Sequence, residues 1–484
     1  MPARLFAHIP RLLLGLALFL ALSACSPVGP DFQQPQPQLP QRWKGVEELQ
    51  PPVASAADSW WRLFADPLLH QLITEAEEAS FDLHRAEARV REARAQRVIA
   101  ASQGSLGAAA AANSARRSDN VSGGSQDLFE LGFDARWELD LFGATRRATE
   151  AAEAGLEASR AELRLVLVSL RAEVARVYIE LRGAQRRLAT ATNLLAIKGE
   201  TVATVRGRLE LGFDTRLDLH QALTEEKLTK ASLPALEREI RQAMYRLAIL
   251  LGQPPAALVD RLSLAPGTLH LPQGIAMELP SELLRRRPDI RAAEMRLAEA
   301  TASIGVAVAD LFPRFSLGGL LGLQSTEFST LLSGASRYWS IGPSLSLALF
   351  DRDSRHARVD ISTARRDQLL FDYQQTVLEA LGEVENGLVA FSQEQRARGF
   401  LVEAVAEAKA AADMARGRYQ AGLSDVFPVL QAERTLQGAE EQLIDSEQRL
   451  ALALVLVYKA MGGGTTQGAD YDESPPQPPA AASP

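Results

Sequence analysis

Cysteine is nearly absent from this 484-residue chain, and Cys25 is the only one. An intramolecular disulfide is therefore excluded. The six histidines occur singly, without the spacing of a metal-binding or catalytic motif. Because an enzyme needs a nucleophile with its acid and base, or a metal cluster, these absences favour a protein that catalyses nothing and holds neither a metal nor a dissociable cofactor.

Positive charge and long apolar runs are also scarce. The chain has 52 Lys and Arg against 60 Asp and Glu, and its net charge of -8 argues against a nucleic-acid partner. The apolar run at residues 12–22 is much shorter than the roughly 20 residues that a membrane-spanning helix needs. Arg4 and Arg11 precede this run, so residues 1–24 are predicted to be a secretory signal.

The predicted signal ends in Leu22-Ser23-Ala24-Cys25, which resembles the lipobox of bacterial lipoproteins. The resemblance implies that Cys25 becomes the mature N-terminus and carries a diacylglycerol thioether and an N-acyl chain. Ser26 follows, and the lack of Asp at this position resembles lipoproteins that are sent to the outer membrane. Several acyl chains, at about 0.8 kcal/mol per buried methylene, hold a protein stably on a bilayer.

Proline is missing from three long stretches, residues 68–233, 344–427 and 429–474. Within them, residues 145–211 and 354–421 are rich in strong helix formers. Their apolar residues alternate in steps of four and three, which is the heptad spacing of a coiled coil. A helix of 67 residues would be about 100 Å long. The seam residues are Leu163, Leu167, Leu170, Val174, Val177, Leu181, Ala184 and Leu188, and then Val377, Leu381, Val384, Leu388 and Phe391.

Four segments instead alternate apolar and polar residues with a period of two: 102–116, 130–141, 312–324 and 339–349. This alternation is typical of transmembrane barrel strands, which have about 9 to 11 residues each. Aromatic residues at the segment ends favour a membrane interface. Two amphipathic hairpins that cover a soluble core remain an alternative interpretation of the same pattern.

The chain is also duplicated, since residues 82–93 reappear as 289–300 with six identities. A period of about 207 to 210 residues indicates a duplicated domain. The predicted layout is a signal at 1–24, a lipid-anchored extended arm at 25–65, a first repeat at 66–270, a second repeat at 271–461 and a tail at 462–484. Each repeat contains a helix, a β-hairpin (102–142 or 312–350), a very long helix and a return helix.

Four strands are too few to close a barrel, and an open edge in hydrocarbon leaves backbone groups without hydrogen bonds. Closure must therefore come from other subunits, and three chains would give twelve strands around a polar lumen. The predicted fold is mainly α, with long coiled-coil helices forming a trimeric α-barrel and a 12-stranded membrane β-barrel. Glycine at 212 and 422 is expected to end each long helix, and Asp214 and Ser424 to cap the next one.

Four sequence segments carry a resemblance to the outer-membrane efflux channels of the TolC type, in their NodT-like lipoprotein branch. The segments are 25–32, 59–67, 137–143 and 279–290. The resemblance implies a homotrimeric duct in the bacterial outer membrane that extends into the periplasm. It also implies two partners, a periplasmic membrane-fusion adaptor and an inner-membrane pump of the proton-driven resistance-nodulation-division type. The substrates it implies are drugs or other small molecules.

The resemblance further implies functional roles for the turns between the long and return helices. The adaptor would contact Leu211, Gly212, Phe213, Ala421, Gly422 and Leu423. The resting channel would be closed near these turns, where Asp218, Tyr419, Asp425 and Gln431 are the candidate gate residues. The acidic rings of the best-known channels are not reproduced, because the corresponding positions after Gly422 are Pro428 and Gln431.

Two other functions stay open on the sequence alone. A lipoprotein scaffold could bridge the periplasm with the same long helices and conduct nothing. A periplasmic hydrolase would need a reactive cluster that the sequence does not display.

Overall fold

A computed structural model describes residues 27–44, 57–118, 125–263, 270–272, 274 and 280–463. The predicted signal, Cys25 and the tail beyond residue 463 lie outside the described residues. Nine helices and four strands follow one another within this part of the chain. They are α1 (Pro67–Ala79), α2 (Phe81–Ser102), β1 (Gly107–Ser118), β2 (Ser125–Leu139), α3 (Ala144–Glu210), α4 (Arg216–Leu250), α5 (Val259–Leu262), α6 (Pro280–Arg286), α7 (Pro288–Ala309), β3 (Arg314–Ser325), β4 (Arg337–Ser346), α8 (Arg352–Gln420) and α9 (Phe427–Ala460).

The described chain forms two compact units. The first contains residues 27–37, 86–118, 125–162 and 289–376, and the second contains most of the remainder. The helices α2, α3 and α8 each contribute residues to both units. None of the helices in the described ranges combines the length and apolar composition needed to cross a membrane.

The first unit holds a four-stranded antiparallel sheet with the order β1-β2-β3-β4. Residues that pair directly across strands share one face of a sheet. Phe133 pairs with Leu321, which pairs with Trp339, so these side chains lie on one face. The same face carries Leu131, Trp137, Leu139, Phe315, Leu317, Leu323, Ile341 and Leu345. The predicted alternation therefore produces a continuous apolar face across β2, β3 and β4.

The opposite face of the sheet is mainly polar. It carries Glu130, Asp134, Arg136, Glu138, Ser316, Gln324, Ser340 and Ser344, with Leu128, Leu320 and Tyr338 as exceptions. Ser316 and Ser344, which are paired across β3 and β4, join their hydroxyls at 2.7 Å. One sheet thus separates an apolar surface from a polar one.

Three predicted strand boundaries are wrong by three residues or more, and one of them is the start of β2, which lies at Ser125 and not at residue 130. Ser102 ends helix α2, where its hydroxyl donates to the carbonyl of Ile99 at 2.7 Å, and the strand begins only at Gly107. At the other end of the sheet, β4 stops at Ser346 because its partner there is Arg314, the first residue of β3. Pro313 precedes Arg314 and has no N–H with which to extend the pairing.

The second unit packs the long and return helices around the predicted seam. Every seam residue of α3 is buried except Leu188, which is half-buried, and Val377, Val384, Leu388 and Phe391 of α8 are buried as well. Trp60 stacks on Tyr458 of α9 with ring centroids 5.9 Å apart, as expected for a packing anchor. The predicted ends of both long helices lie within two residues of the observed ends.

Candidate functional site at the helix turns

The two turns between long and return helices have the same backbone geometry. Gly212 and Gly422 adopt φ values of 78° and 73°, in the left-handed region. In each turn the amide of the third residue after the helix closes a six-residue ring, from Phe213 to the carbonyl of Arg208 and from Leu423 to the carbonyl of Arg418, both at 2.9 Å. Glycine is required because a side chain would be strained at this φ. The predicted glycine caps are confirmed.

The predicted side-chain caps of the return helices are wrong. Thr215, not Asp214, caps α4, and it forms a capping box with Asp218. Val426 precedes α9 without any side-chain hydrogen bond, and Pro428 stands in the first turn instead. Because proline has no N–H that a cap would have to satisfy, α9 does not need the Ser424 side chain as a cap.

All six residues predicted to contact an adaptor are exposed at these turns. Leu211, Phe213 and Leu423 each expose at least 70% of their surface, and Leu217 and Phe427 beside them are also exposed. Neighbouring apolar side chains on a surface often mark a site of protein contact. The turns therefore present the kind of surface that the sequence-based prediction requires.

A polar cluster joins the two turns just behind this apolar surface. The Tyr419 hydroxyl of α8 donates to the Asp214 carboxylate in the first turn. Arg208 at the end of α3 donates to Asp214 at 3.3 Å and to the carbonyl of Tyr419 at 3.1 Å. Its guanidinium also lies 4.6 Å from the Tyr419 ring centroid. We call Arg208, Asp214 and Tyr419 the turn lock.

Burial makes the turn lock strong. Tyr419 is 2% exposed and packs with Val205, Val426 and other apolar residues in a small core behind the turns. Burial, followed by the hydrogen bond to Asp214, raises the pKa of Tyr419 above its ordinary value. The hydroxyl therefore stays protonated and remains a donor at physiological pH.

The other predicted gate residues have different surroundings. Asp218 accepts from the amide and hydroxyl of Thr215 at 2.8 and 2.6 Å, which is the work of a helix cap. Asp425 and Gln431 are exposed. The sequence offers Tyr419 as a candidate gate residue and Asp214 as a helix cap, but it does not join them to each other or to Arg208, because nothing in a local pattern shows that residues about 205 positions apart touch.

A second polar layer lies deeper between α3, α4 and α9, and sequence reasoning missed it entirely. Lys198, buried on the seam of α3, donates to Thr229 at 2.9 Å, Gln437 at 3.2 Å and Glu225 at 3.3 Å. Glu225 also accepts from Arg434 of α9. A lysine at a heptad core position was the available signal, because a buried ammonium requires partners.

The two cations control the charge of Glu225. Burial alone would raise its pKa, but the hydrogen bond from Arg434 and the charge of Lys198 outweigh that effect and lower it. Glu225 is therefore ionised at neutral pH. Its ion pairs with Lys198 and Arg434 link the helices α3, α4 and α9. Elsewhere in the described chain, no group of three or more His, Cys, Asp or Glu is arranged to hold a metal ion.

A family model described as outer membrane efflux protein matches residues 72–253 and 279–463, one segment in each repeat. The chain belongs to the outer membrane efflux protein family. It is accordingly an efflux protein of the bacterial outer membrane, and the predicted role as the channel component of an efflux pump is confirmed.

Individual relatives of this efflux protein agree along nearly their whole length. Outer membrane protein OprJ of Pseudomonas aeruginosa is 33% identical over 466 residues, covering 94% of this chain and 96% of the relative. The toluene efflux pump outer membrane protein TtgI of Pseudomonas putida is 31% identical over 458 residues, covering 92% and 96%. Nodulation protein T of Rhizobium leguminosarum bv. trifolii is 29% identical over 457 residues, covering 92% and 96%. The name of TtgI describes it as the outer membrane protein of a toluene efflux pump.

A solved structure of the outer-membrane channel OprN has the same fold, with a TM-score of 0.85 at 37% identity. The match covers 90% of this chain and 99% of that one. The resemblance to outer-membrane efflux channels that the four sequence segments carry is thus confirmed.

Proposed function

We propose that three copies of this efflux protein form a continuous duct, with twelve strands in the outer membrane and an α-helical barrel in the periplasm. The observation that carries the proposal is the sheet with one apolar and one polar face. Such a sheet is stable in a bilayer only if its apolar face meets lipid and its polar face lines a lumen.

The sheet edges support closure by other copies. In the described chain, β1 and β4 each pair with one neighbour only. An unpaired edge within hydrocarbon costs several kcal/mol for each free backbone group. Joining β4 of one copy to β1 of the next removes both edges. Three copies give twelve strands, and such a barrel encloses a wider lumen than a barrel of roughly eight strands, whose interior side chains can fill.

The duplication predicts the register of this seam between copies. Within one chain Phe315 pairs with Leu139. The counterpart of Phe315 in the first repeat is Ala108, 207 residues earlier. The counterpart of Leu139 in the second repeat is Leu347, 208 residues later. Continuing the same antiparallel register places Ile341 of one copy opposite Ser114 of the next.

Disulfide cross-linking tests the seam in the otherwise unchanged chain, because Cys25, acylated as a thioether, offers no free thiol. Ile341→Cys combined with Ser114→Cys should give a covalent trimer on oxidation, because directly opposed residues have Cβ atoms about 5 Å apart. The matched control combines Ile341→Cys with Asn113→Cys, which lies on the other face and should not cross-link. Equal cross-linking of both pairs, or none with the first, would refute the proposed closure.

The exposed turns are proposed as the contact with a periplasmic membrane-fusion adaptor, through which an inner-membrane pump of the resistance-nodulation-division type delivers drugs or other small molecules. The support is the apolar surface formed by Leu211, Phe213 and Leu423. Replacing Leu211 and Phe213 by Asp should abolish export and adaptor co-purification. Phe328→Asp, at an equally exposed site in the β3–β4 connection, should leave both unchanged.

The turn lock is proposed to hold the resting channel closed, with Tyr419 as its central donor. Tyr419 is supported by its buried bond to Asp214. Of the other candidate gate residues, Asp218 is proposed to act by holding the first turn of α4 in place. Asp425 and Gln431 are proposed only from their positions in the sequence. A non-conducting scaffold would have no need of a polar face on its sheet.

Lipidation of Cys25 is proposed from the lipobox, with a diacylglycerol thioether and an N-acyl chain as the only covalent additions. Metabolic labelling with a fatty acid should mark the wild type and not Cys25→Ala. A label that persists on the variant would show that the acylated residue lies elsewhere.

A further inference from the structure

The segment that follows Cys25 is held firmly by the first unit. We call residues 27–32 the strap. The Val28 amide donates to the carbonyl of Phe142 at 3.1 Å, in the connection between β2 and α3. Phe32 packs against a cluster that contains Met295 and Ala158. The predicted extended arm therefore has no regular structure here but is docked along its first six described residues.

Arg147 in the first turn of α3 makes the principal polar contacts with the strap. Its side chain is 3% exposed. It donates to the carbonyls of Val28 at 3.1 Å and Gly29 at 3.3 Å, and to the Asp31 carboxylate at 2.7 Å. The remaining bond goes to Glu150 at 2.8 Å. A buried guanidinium without partners is costly, so the strap supplies most of what Arg147 needs.

Three glycines allow the strap to approach this closely. A side chain on Gly29, which has a φ of +92°, would lie 2.5 Å from the backbone of Gly305. A side chain on Gly305 would meet Arg147, and one on Gly143 would meet Pro27 at 2.5 Å. The surface is thus shaped for backbone-to-backbone contact with this particular segment.

The second repeat provides an internal comparison. Arg355 is the fourth residue of α8, as Arg147 is of α3. Arg355 donates to the Asp351 carboxylate at 2.9 Å, four residues before it, and to the carbonyl of Asp310, which follows α7. Arg355, at the junction between β4 and α8, is thus satisfied without a strap. Arg147, at the equivalent junction between β2 and α3, instead has the strap as its main partner.

The position of the strap matters because of what precedes and follows it. Only Ser26 separates Cys25 from Pro27, so the tether spans at most about 7 Å. Pro27 contacts Gly143, four residues after β2 ends at Leu139. Beside it Phe142 stacks on Phe312 with ring centroids 4.6 Å apart, an aromatic pair typical of a membrane interface.

We propose that Arg147, Gly143 and Gly305 form a receptor site for the strap, which fixes the acylated N-terminus at the membrane-proximal base of β2. The inference rests on the proposed lipidation of Cys25. Acyl chains and strands would then enter the same leaflet as one attachment, with the lipid guiding insertion of the sheet. Arg147 is a positioning residue in this scheme.

Hydrogen exchange of the purified efflux protein tests the receptor, because the Val28 amide reports docking directly. Arg147→Ala, and the strap variants Gly29→Ala and Asp31→Ala, should each speed exchange of Val28 at least about tenfold, the effect of losing a charged hydrogen bond. Arg355→Ala should leave it unchanged. The strap variants alter no residue of the helices or the sheet, so loss of those elements is not expected to account for their effect. Unchanged exchange in all three would overturn the receptor.

Lengthening the tether tests the coupling to insertion. Six Gly and Ser residues placed between Ser26 and Pro27 lengthen the tether from two residues to eight. Because effective concentration falls roughly as the −3/2 power of tether length, the effective concentration of the sheet near the lipid falls by roughly eightfold. Assembly of membrane-inserted oligomer should slow by that factor while Val28 protection persists. Assembly at the wild-type rate would overturn the coupling. Absence of acyl label on wild-type Cys25 would instead contradict lipidation, and the exchange result would still decide the receptor.

Discussion

Removing one hydroxyl from the turn lock should open the channel. Tyr419→Phe retains the buried ring and its contact with Arg208 at 4.6 Å, and loses only the bond to Asp214. A hydrogen bond to a charged group contributes about 1.5 to 3 kcal/mol, so three copies opening together would lose about 4.5 to 9 kcal/mol. Because about 5.5 kcal/mol carries a two-state equilibrium from 1:99 to 99:1, the closed state should no longer dominate.

The assay is planar-bilayer recording of purified wild type and Tyr419→Phe at equal protein concentration. We expect brief, rare openings from the wild type and sustained openings from the variant. Tyr245→Phe is the matched control, because Tyr245 is exposed on α4, and it should behave as the wild type. A Tyr419→Phe channel that remains trimeric and conducts no more than the wild type would refute the reasoning about the turn lock.

Three further predictions concern individual side chains. Glu225→Gln leaves Lys198 buried without its counter-charge and should lower the free energy of unfolding by about 3 to 5 kcal/mol. Because the folded-state pKa of Glu225 is lowered, the wild type should keep its higher thermal midpoint above pH 4.5, the ordinary pKa of Glu, and lose this advantage as the pH falls further. Asp218→Ala breaks the capping box with Thr215 and should cost about 0.5 to 2 kcal/mol, measured as faster hydrogen exchange in the first turn of α4. Cys25→Ala should slow the appearance of membrane-inserted oligomer after pulse labelling, whereas Ser26→Ala should not.

The sequence was sufficient for elements whose signal is local and repeated. Long proline-free stretches with heptad spacing predicted α3 and α8 to within two residues at each end. Period-two alternation located all four strands, and glycine located both turns. These features succeed because each depends on neighbours within one or two turns of chain.

Features that depend on distant partners could not be predicted in the same way. Asp214 looked like a helix cap, but Tyr419 and Arg208 take up its carboxylate and leave capping to Thr215. The end of β4 depends on where β3 begins. The strap is the clearest case, because the sequence predicts only an extended arm there and no local pattern indicates its contacts with Arg147.

We propose that three sheets and three sets of helices enclose one continuous conducting bore. Single-channel recording of the purified, detergent-extracted trimer, with the turn lock released by Tyr419→Phe, measures this bore directly. We expect long-lived openings of uniform size that appear only in the trimeric fraction. A stable trimer that never conducts after release of the lock, or conductance from a solitary chain, would contradict it.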